Sequence, residues 1–117
     1  MTPDDAHAFA VDWIAAWNRL DVEAVLAHYA EEVEFLSPLA ERVTGAGRVV
    51  GRSALRAYWT QALSTRPDLH FELEDVLVGA GCLTILYRNH RGERVAETVE
   101  FDPQHKVARS YACYRPI

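Results

Sequence analysis

Glu97 stands where a carboxylate is least expected. Its segment reads Val95-Ala96-Glu97-Thr98-Val99-Glu100-Phe101. As a strand with period-two alternation, it puts Val95, Glu97, Val99 and Phe101 on one face. Arg94, Ala96, Thr98 and Glu100 take the other face. A carboxylate in an apolar row must find partners or hold a proton. Burial raises its pKa and makes it an acid, a base or a hydrogen-bond donor near neutrality. The competing reading is structural, with Glu97 paired to a buried arginine or tyrosine that holds the sheet together. Arg109 and Tyr111, on the next strand, are the candidates. If Phe101 pairs with Val107 across the intervening turn, Tyr111 lies opposite Glu97 and Arg109 lies diagonal to it. One β-bulge in the last strand turns Ser110, Ala112 and Tyr114 inward instead.

Aromatic side chains surround this question. Trp13, Trp17, Tyr58 and Trp59 fall on apolar helix faces, where core filling and the lining of a flat-ligand cavity are both open to them. Tyr87 and Asn89 share a strand face with Leu83 and Ile85. Asn89, near the strand end, is read as a turn-stabilising side chain or a rim contact. The five histidines, His7, His28, His70, His90 and His105, are scattered, and none pairs at ligand spacing with Cys, Asp or Glu on one face. No metal site is expected, and no cofactor is implied. No serine nucleophile with a paired histidine has a local signature. Cys82 and Cys113 each fall in a strand-like segment, with no CxxC pair, and read as buried, reduced thiols.

The elements that position these groups follow from composition and pattern. The 117 residues fit a single domain spanning 1–117, half of them hydrophobic and a quarter charged. The net charge of −5 and the solitary lysine, Lys106, leave no basic stripe, so no nucleic-acid partner is expected. The acidic start MTPDDAHAFA is not read as a signal peptide, and no apolar run approaches a membrane span, so a cytoplasmic location is the expectation.

Thr2, Pro3 and Asp5 signal a helix over about Pro3–Asn18, with Phe9, Trp13, Ala16, Trp17 and Leu20 as its apolar face. Asp21 caps a second helix, with Val22, Val25, Leu26 and Tyr29 buried, that ends near Ala30. Val33-Glu34-Phe35-Leu36-Ser37 reads as a strand with Val33, Phe35 and Ser37 on one face, stopped by Pro38. Residues 38–51, with Gly45, Gly47 and Gly51, read as a rim or lid loop. Ser53 is read as the cap of a third helix to about Ser64, with Leu55, Tyr58, Trp59, Ala62 and Leu63 apolar. Four strands follow, His70–Val78, Cys82–His90, Glu93–Asp102 and Lys106–Tyr114, joined by tight turns into an antiparallel meander. The order is α+β rather than alternating βαβ: three N-terminal helices packed on a strongly curved antiparallel sheet.

Several stretches carry a family resemblance. They are Trp13-Ile14-Ala15-Ala16-Trp17-Asn18 with Asp21, and Tyr29-Ala30-Glu31-Glu32-Val33-Glu34-Phe35. Gly51-Arg52-Ser53-Ala54-Leu55-Arg56-Ala57-Tyr58-Trp59, Glu97-Thr98-Val99-Glu100-Phe101-Asp102 and Lys106-Val107 complete them. The chain resembles the nuclear transport factor 2-like superfamily, in particular its SnoaL-like (polyketide-cyclase-like) and ketosteroid-isomerase-like members. The resemblance implies a cone-shaped half-barrel with a pocket between helices and concave sheet, and commonly a homodimer through the sheet. Ketosteroid isomerases use a helix-one tyrosine, an aspartate before a proline and a late-strand protonated acid; the matching positions here are Trp13, Ser37 and Glu97. One of the three is chemically retained. Trp13 can still donate through its indole N–H, but Ser37 is no base by itself.

Three readings follow. In the first, Glu97 is the acid/base of a small-molecule lyase, isomerase or cyclase acting beside a carbonyl. Its pocket is lined by Trp13, Trp17, Phe35, Ser37, Tyr58, Trp59 and Tyr87, with Val99, Arg109 and Tyr111 as further contacts. In the second, the same pocket holds a small apolar or carbonyl-bearing molecule without turnover. In the third, the cavity is filled by the protein's own side chains, and the domain is a structural or regulatory accessory. A second polar group beside Glu97 separates the first from the second; Ser37, Tyr111 and Arg109 are the candidates.

Overall fold

The computed structural model describes residues 1–116. Helix α1 (Pro3–Asn18) begins as its sequence signals dictate: Thr2 Oγ1 accepts from Asp5 N at 3.1 Å, and Asp5 Oδ2 accepts from Thr2 N at 2.9 Å. Pro3 fills the first turn, where its missing N–H costs nothing. The helix buries Ala6, Ala10, Trp13, Ile14, Ala16 and Trp17. Leu20 is not part of that face; it takes a left-handed turn at φ 57° and is exposed, while its N–H closes onto Trp17.

Asp21 caps α2 (Val22–Leu26) through Ala24 N at 3.1 Å. This helix stops well before Ala30, because His28 and Tyr29 are claimed by the sheet: His28 O accepts from Val107 N at 2.8 Å, and β1 (Tyr29–Leu36) starts at once. Tyr29, Val33 and Phe35 point into the core.

The expected loop at 38–51 is mostly ordered structure. Ser37 caps α3 (Pro38–Thr44) through Leu39 N, with proline at its first position and Gly45 in a left-handed C-cap at φ 80°. The strand β2 (Arg48–Val50) then pairs antiparallel with β1. Four helices therefore cover the sheet, not three. The last, α4 (Arg52–Ser64), begins at Gly51 rather than at Ser53. Gly51 sits at φ 92° and donates to Val33 O at 2.7 Å, so the helix start is tied to β1 by backbone alone. Leu55 and Trp59 are its buried anchors.

Strands β3 (Glu72–Gly79), β4 (Cys82–Arg88), β5 (Arg94–Phe101) and β6 (Val107–Tyr114) form the meander. The six-stranded order is β2-β1-β6-β5-β4-β3. One pair departs from the antiparallel expectation: β6 runs parallel to β1, because the chain brings its last strand back beside its first one in the same direction. Register shifts interrupt β1 against β6, β3 against β4, and β5 against β6. Each such bulge adds local twist and bends the sheet around the helices. The cysteines are both free, but they are not the buried pair expected: Cys82 is half-buried and Cys113 exposed, since β6 turns Cys113 outward. Among the described residues, no helix is long and apolar enough to cross a membrane.

Candidate functional site

The bulge in β6 decides the site. Glu100 pairs with Arg109 while Phe101 pairs with Val107, so Ala108 is the extra residue. Every residue beyond it is flipped by one position. Glu97 therefore lies opposite Ala112, and Ser110 opposite Val99. Glu97, Ser110 and Ala112 are buried on the concave face. Arg109 and Tyr111 point to the convex face and are not partners of Glu97. Arg109 Nε instead meets Glu34 Oε2 at 3.5 Å, and Tyr111 sits opposite Thr98.

Glu97, only 3% exposed, is held by one side-chain donor, Ser110. Trp13 Nε1 donates to Tyr29 Oη at 3.0 Å. Ser110 Oγ donates to Glu97 Oε2 at 2.5 Å. Burial pushes the Glu97 pKa up to about 7, with the Ser110 bond opposing it. The same burial, with the nearby Glu97 charge, holds the hydroxyls of Tyr29, Tyr87 and Tyr114 well above the ordinary tyrosine range. All three stay neutral donors at any physiological pH.

A cavity of about 220 Å³ opens on this carboxylate. Of the residues read from the sequence, Trp13, Trp17, Phe35 and Ser37 line it from α1 and β1. Tyr58 and Trp59 line it from α4, and Tyr87 and Glu97 from the sheet. Val99, Arg109 and Tyr111 do not: Val99 is packed in the core below, and the other two face outward. The walls are aromatic. Phe71 stacks on Trp13 at 6.1 Å and tilts against Tyr87 at 4.4 Å; Trp17 meets Trp59 edge-on at 4.9 Å. The Trp17 indole N–H is buried with no partner.

Ser37 and Asn89 take structural tasks. Ser37 Oγ accepts from Leu39 N at 3.1 Å, which leaves it a helix cap and no proton acceptor for a ligand. Asn89 Oδ1 accepts from the backbone N–H groups of Arg91 and Glu93, both at 3.0 Å, and shapes the β4–β5 turn. Among the described residues, no three His, Cys, Asp or Glu side chains cluster as a metal ion requires.

Sequence reasoning missed several wall residues. Tyr29, behind the wall, has helical spacing but lies in β1, where its hydroxyl accepts from Trp13 Nε1. Phe71 precedes β3 and has no periodic signal; Asn18 pins it, accepting from Phe71 N at 2.7 Å and donating to Phe71 O at 2.9 Å. Arg42, Arg66 and Tyr114 also reach the cavity.

This arrangement has relatives. A SnoaL-like protein of unknown function from Burkholderia thailandensis E264 superposes with a TM-score of 0.95 at 38% identity, covering 98% of each chain. AclR, a candidate hydroxylase from Streptomyces galilaeus, superposes at 0.76 with 16% identity, over 97% of this chain and 91% of its own. TerC, co-crystallised with polyporic acid, superposes at 0.77 with 12% identity, over 94% and 91%. These last two share the fold. No curated protein matches the chain in sequence. The SnoaL-like domain family matches residues 10–115, nearly the whole length, and with the 38% identical relative this makes the chain a member of that SnoaL-like family.

Proposed function

We propose that the protein binds a small, mostly apolar, carbonyl-bearing molecule in the aromatic cavity and moves a proton on it with Glu97. The observation that carries this reading is the one carboxyl among the described lining residues, its pKa raised by burial to about 7, in a cavity whose walls are largely aromatic. A base of that strength takes a proton from carbon beside a carbonyl and returns it without paying a large penalty in either direction. Tyr87 and Tyr114 have no side-chain hydrogen-bond partners among the described residues, so their hydroxyls are free to meet a developing oxyanion. Lyase, isomerase and cyclase chemistry all begin with this transfer, and it needs no cofactor. That relatives of the fold include TerC, co-crystallised with polyporic acid, supports a pocket for organic molecules.

A second reading, binding without turnover, is favoured by Ser37: the position that matches the ketosteroid isomerase base is locked as a helix cap. One experiment separates the two. Carbonyl-bearing phenolic compounds are screened by thermal shift, and each binder is then followed by proton NMR in D2O for exchange beside its carbonyl. Proton transfer predicts exchange that falls roughly 100-fold or more in Glu97→Gln while binding survives. Binding with no exchange above the solvent rate sinks the catalytic reading and leaves the binding module. Failure of every compound to bind sinks both.

A further inference from the structure

Of the five arginines that meet no carboxylate among the described residues of this acidic chain, Arg42 and Arg66 line one cavity. Arg48, Arg52, Arg56, Arg88, Arg94 and Arg109 each meet a carboxylate. Arg42 on α3 and Arg66 just beyond α4 meet none, and both line the cavity. Arg66 is half-buried and close enough to Tyr58 and Tyr114 to favour their ionised forms. Among the described residues, no carboxylate other than Glu97 lines the cavity to neutralise either cation. Glu97 itself is buried mid-strand and engaged by Ser110, whereas Arg42 is exposed, so opposite charges mark the deep and outer ends of one space.

A partly desolvated guanidinium with no partner is an open site for a planar anion, which it grips with two parallel N–H donors. The space between is aromatic and small. At about 220 Å³ it falls below the roughly 300–1,000 Å³ that drug-sized ligands take. One or two fused rings fill it. We propose that the ligand is an aromatic carboxylate of one or two rings, its acid group on Arg66 with Arg42 beside it. Its ring lies among Trp17, Phe71 and Tyr87, with the far edge toward Glu97. This rests on the pocket reading above and names its ligand class. Two ends of opposite sign also fix direction: an acid group placed against Glu97 meets a like charge, so the ligand enters ring first.

The test compares 2-naphthoate with its neutral amide, 2-naphthamide, by calorimetric titration on the wild-type protein and on Arg66→Gln and Arg42→Gln. The proposal expects the acid to bind about tenfold or more tightly than the amide, as a charged hydrogen bond of this kind contributes. Arg66→Gln should erase that preference and leave amide affinity within about twofold, with Arg42→Gln reducing the preference in part. Equal binding of acid and amide by the wild type overturns the anion site and leaves the pocket reading standing. So does a preference that survives Arg66→Gln. If neither compound binds, the pocket reading fails and this inference goes with it. Unchanged melting of Arg66→Gln shows that a lost preference is local.

Discussion

Ser110 Oγ donates to Glu97 Oε2 at 2.5 Å, and it does so only because Ala108 is an extra residue in β6. Without that bulge Ser110 faces outward, and the buried carboxylate meets Tyr111 instead. Nearby in the same buried layer, the Tyr29 hydroxyl accepts from Trp13 Nε1 on α1 at 3.0 Å. The carboxylate that lines the cavity is thus tied by a side chain to β6. Ser110→Ala breaks the Ser110–Glu97 bond. It removes the only hydrogen bond that opposes burial, so the Glu97 pKa should rise above its value of about 7. Leaving the buried carboxyl without its partner should cost roughly 1–3 kcal/mol. Denaturant titration checks the cost, and the pH at which the Glu97 carboxylate infrared band appears checks the shift. A band that moves to lower pH would show that Ser110 does not stabilise the ion.

Glu97 should also write a pH dependence into stability. Its folded pKa is raised from 4.5 to about 7, so its unfavourable ionisation appears as pH rises. The stability linked to its neutral form is fully present below pH 4.5 and is lost progressively up to about pH 7. The full loss is about 3 kcal/mol, taken over that interval. Glu97→Gln cannot ionise and keeps the shape. Denaturant curves of both proteins at pH 5 and pH 8 should show the variant gaining on the wild type at the higher pH. Glu23, Glu34 and Asp5, whose pKa values are lowered by their partners, act with the opposite sign and only as pH falls through their depressed range. They cancel in the difference between the two proteins. A difference that does not change with pH means Glu97 titrates normally.

The fold was largely legible and the site partly so, for reasons that differ by residue. Thr2, Asp21 and the alternation around Glu97 act through local chemistry, and each did what its neighbours required. Val33, Phe35 and Trp59 likewise follow period and partner. Failures came where a distant segment outvoted the local pattern. Tyr29 has helical spacing with Val22 and Leu26, but pairing of β1 with β6 takes it into the sheet. Residues 38–51 carry a cap, a proline and a terminal glycine, yet three glycines drew the reading to a loop. The inward set of β6 could not be chosen, because alternation is broken between Val107 and Ser110 and only the partner strand shows which residue is extra.

Trp17 tests the aromatic wall. It is 6% exposed and packs edge-on against Trp13 and Trp59. Trp17→Ala should cost about 3–5 kcal/mol, the usual result of emptying an aromatic site. Because its indole N–H has no partner, none of that cost is a lost hydrogen bond. Trp17→Phe should therefore recover most of the stability, as measured by denaturant midpoint. A Phe variant as unstable as the Ala variant would mean the N–H has a partner, such as an ordered water.

Asn18 supplies the last test, because it makes one wall of the cavity from a segment with no regular structure. Its amide donates to Phe71 O and accepts from Phe71 N, the same two bonds a neighbouring strand would make. Phe71 is thereby fixed against Trp13 and Tyr87 just before β3 begins. Asn18→Ala leaves both backbone groups of Phe71 without their partner and should cost about 1–3 kcal/mol. Asn18→Asp keeps the acceptor but loses the donor, so it should fall between. The sharper readout is hydrogen exchange at the Phe71 amide, which should speed up in Asn18→Ala and stay protected in Asn18→Asp. Equal exchange in the two variants would show that burial of the ring, not the Asn18 clamp, holds this wall in place.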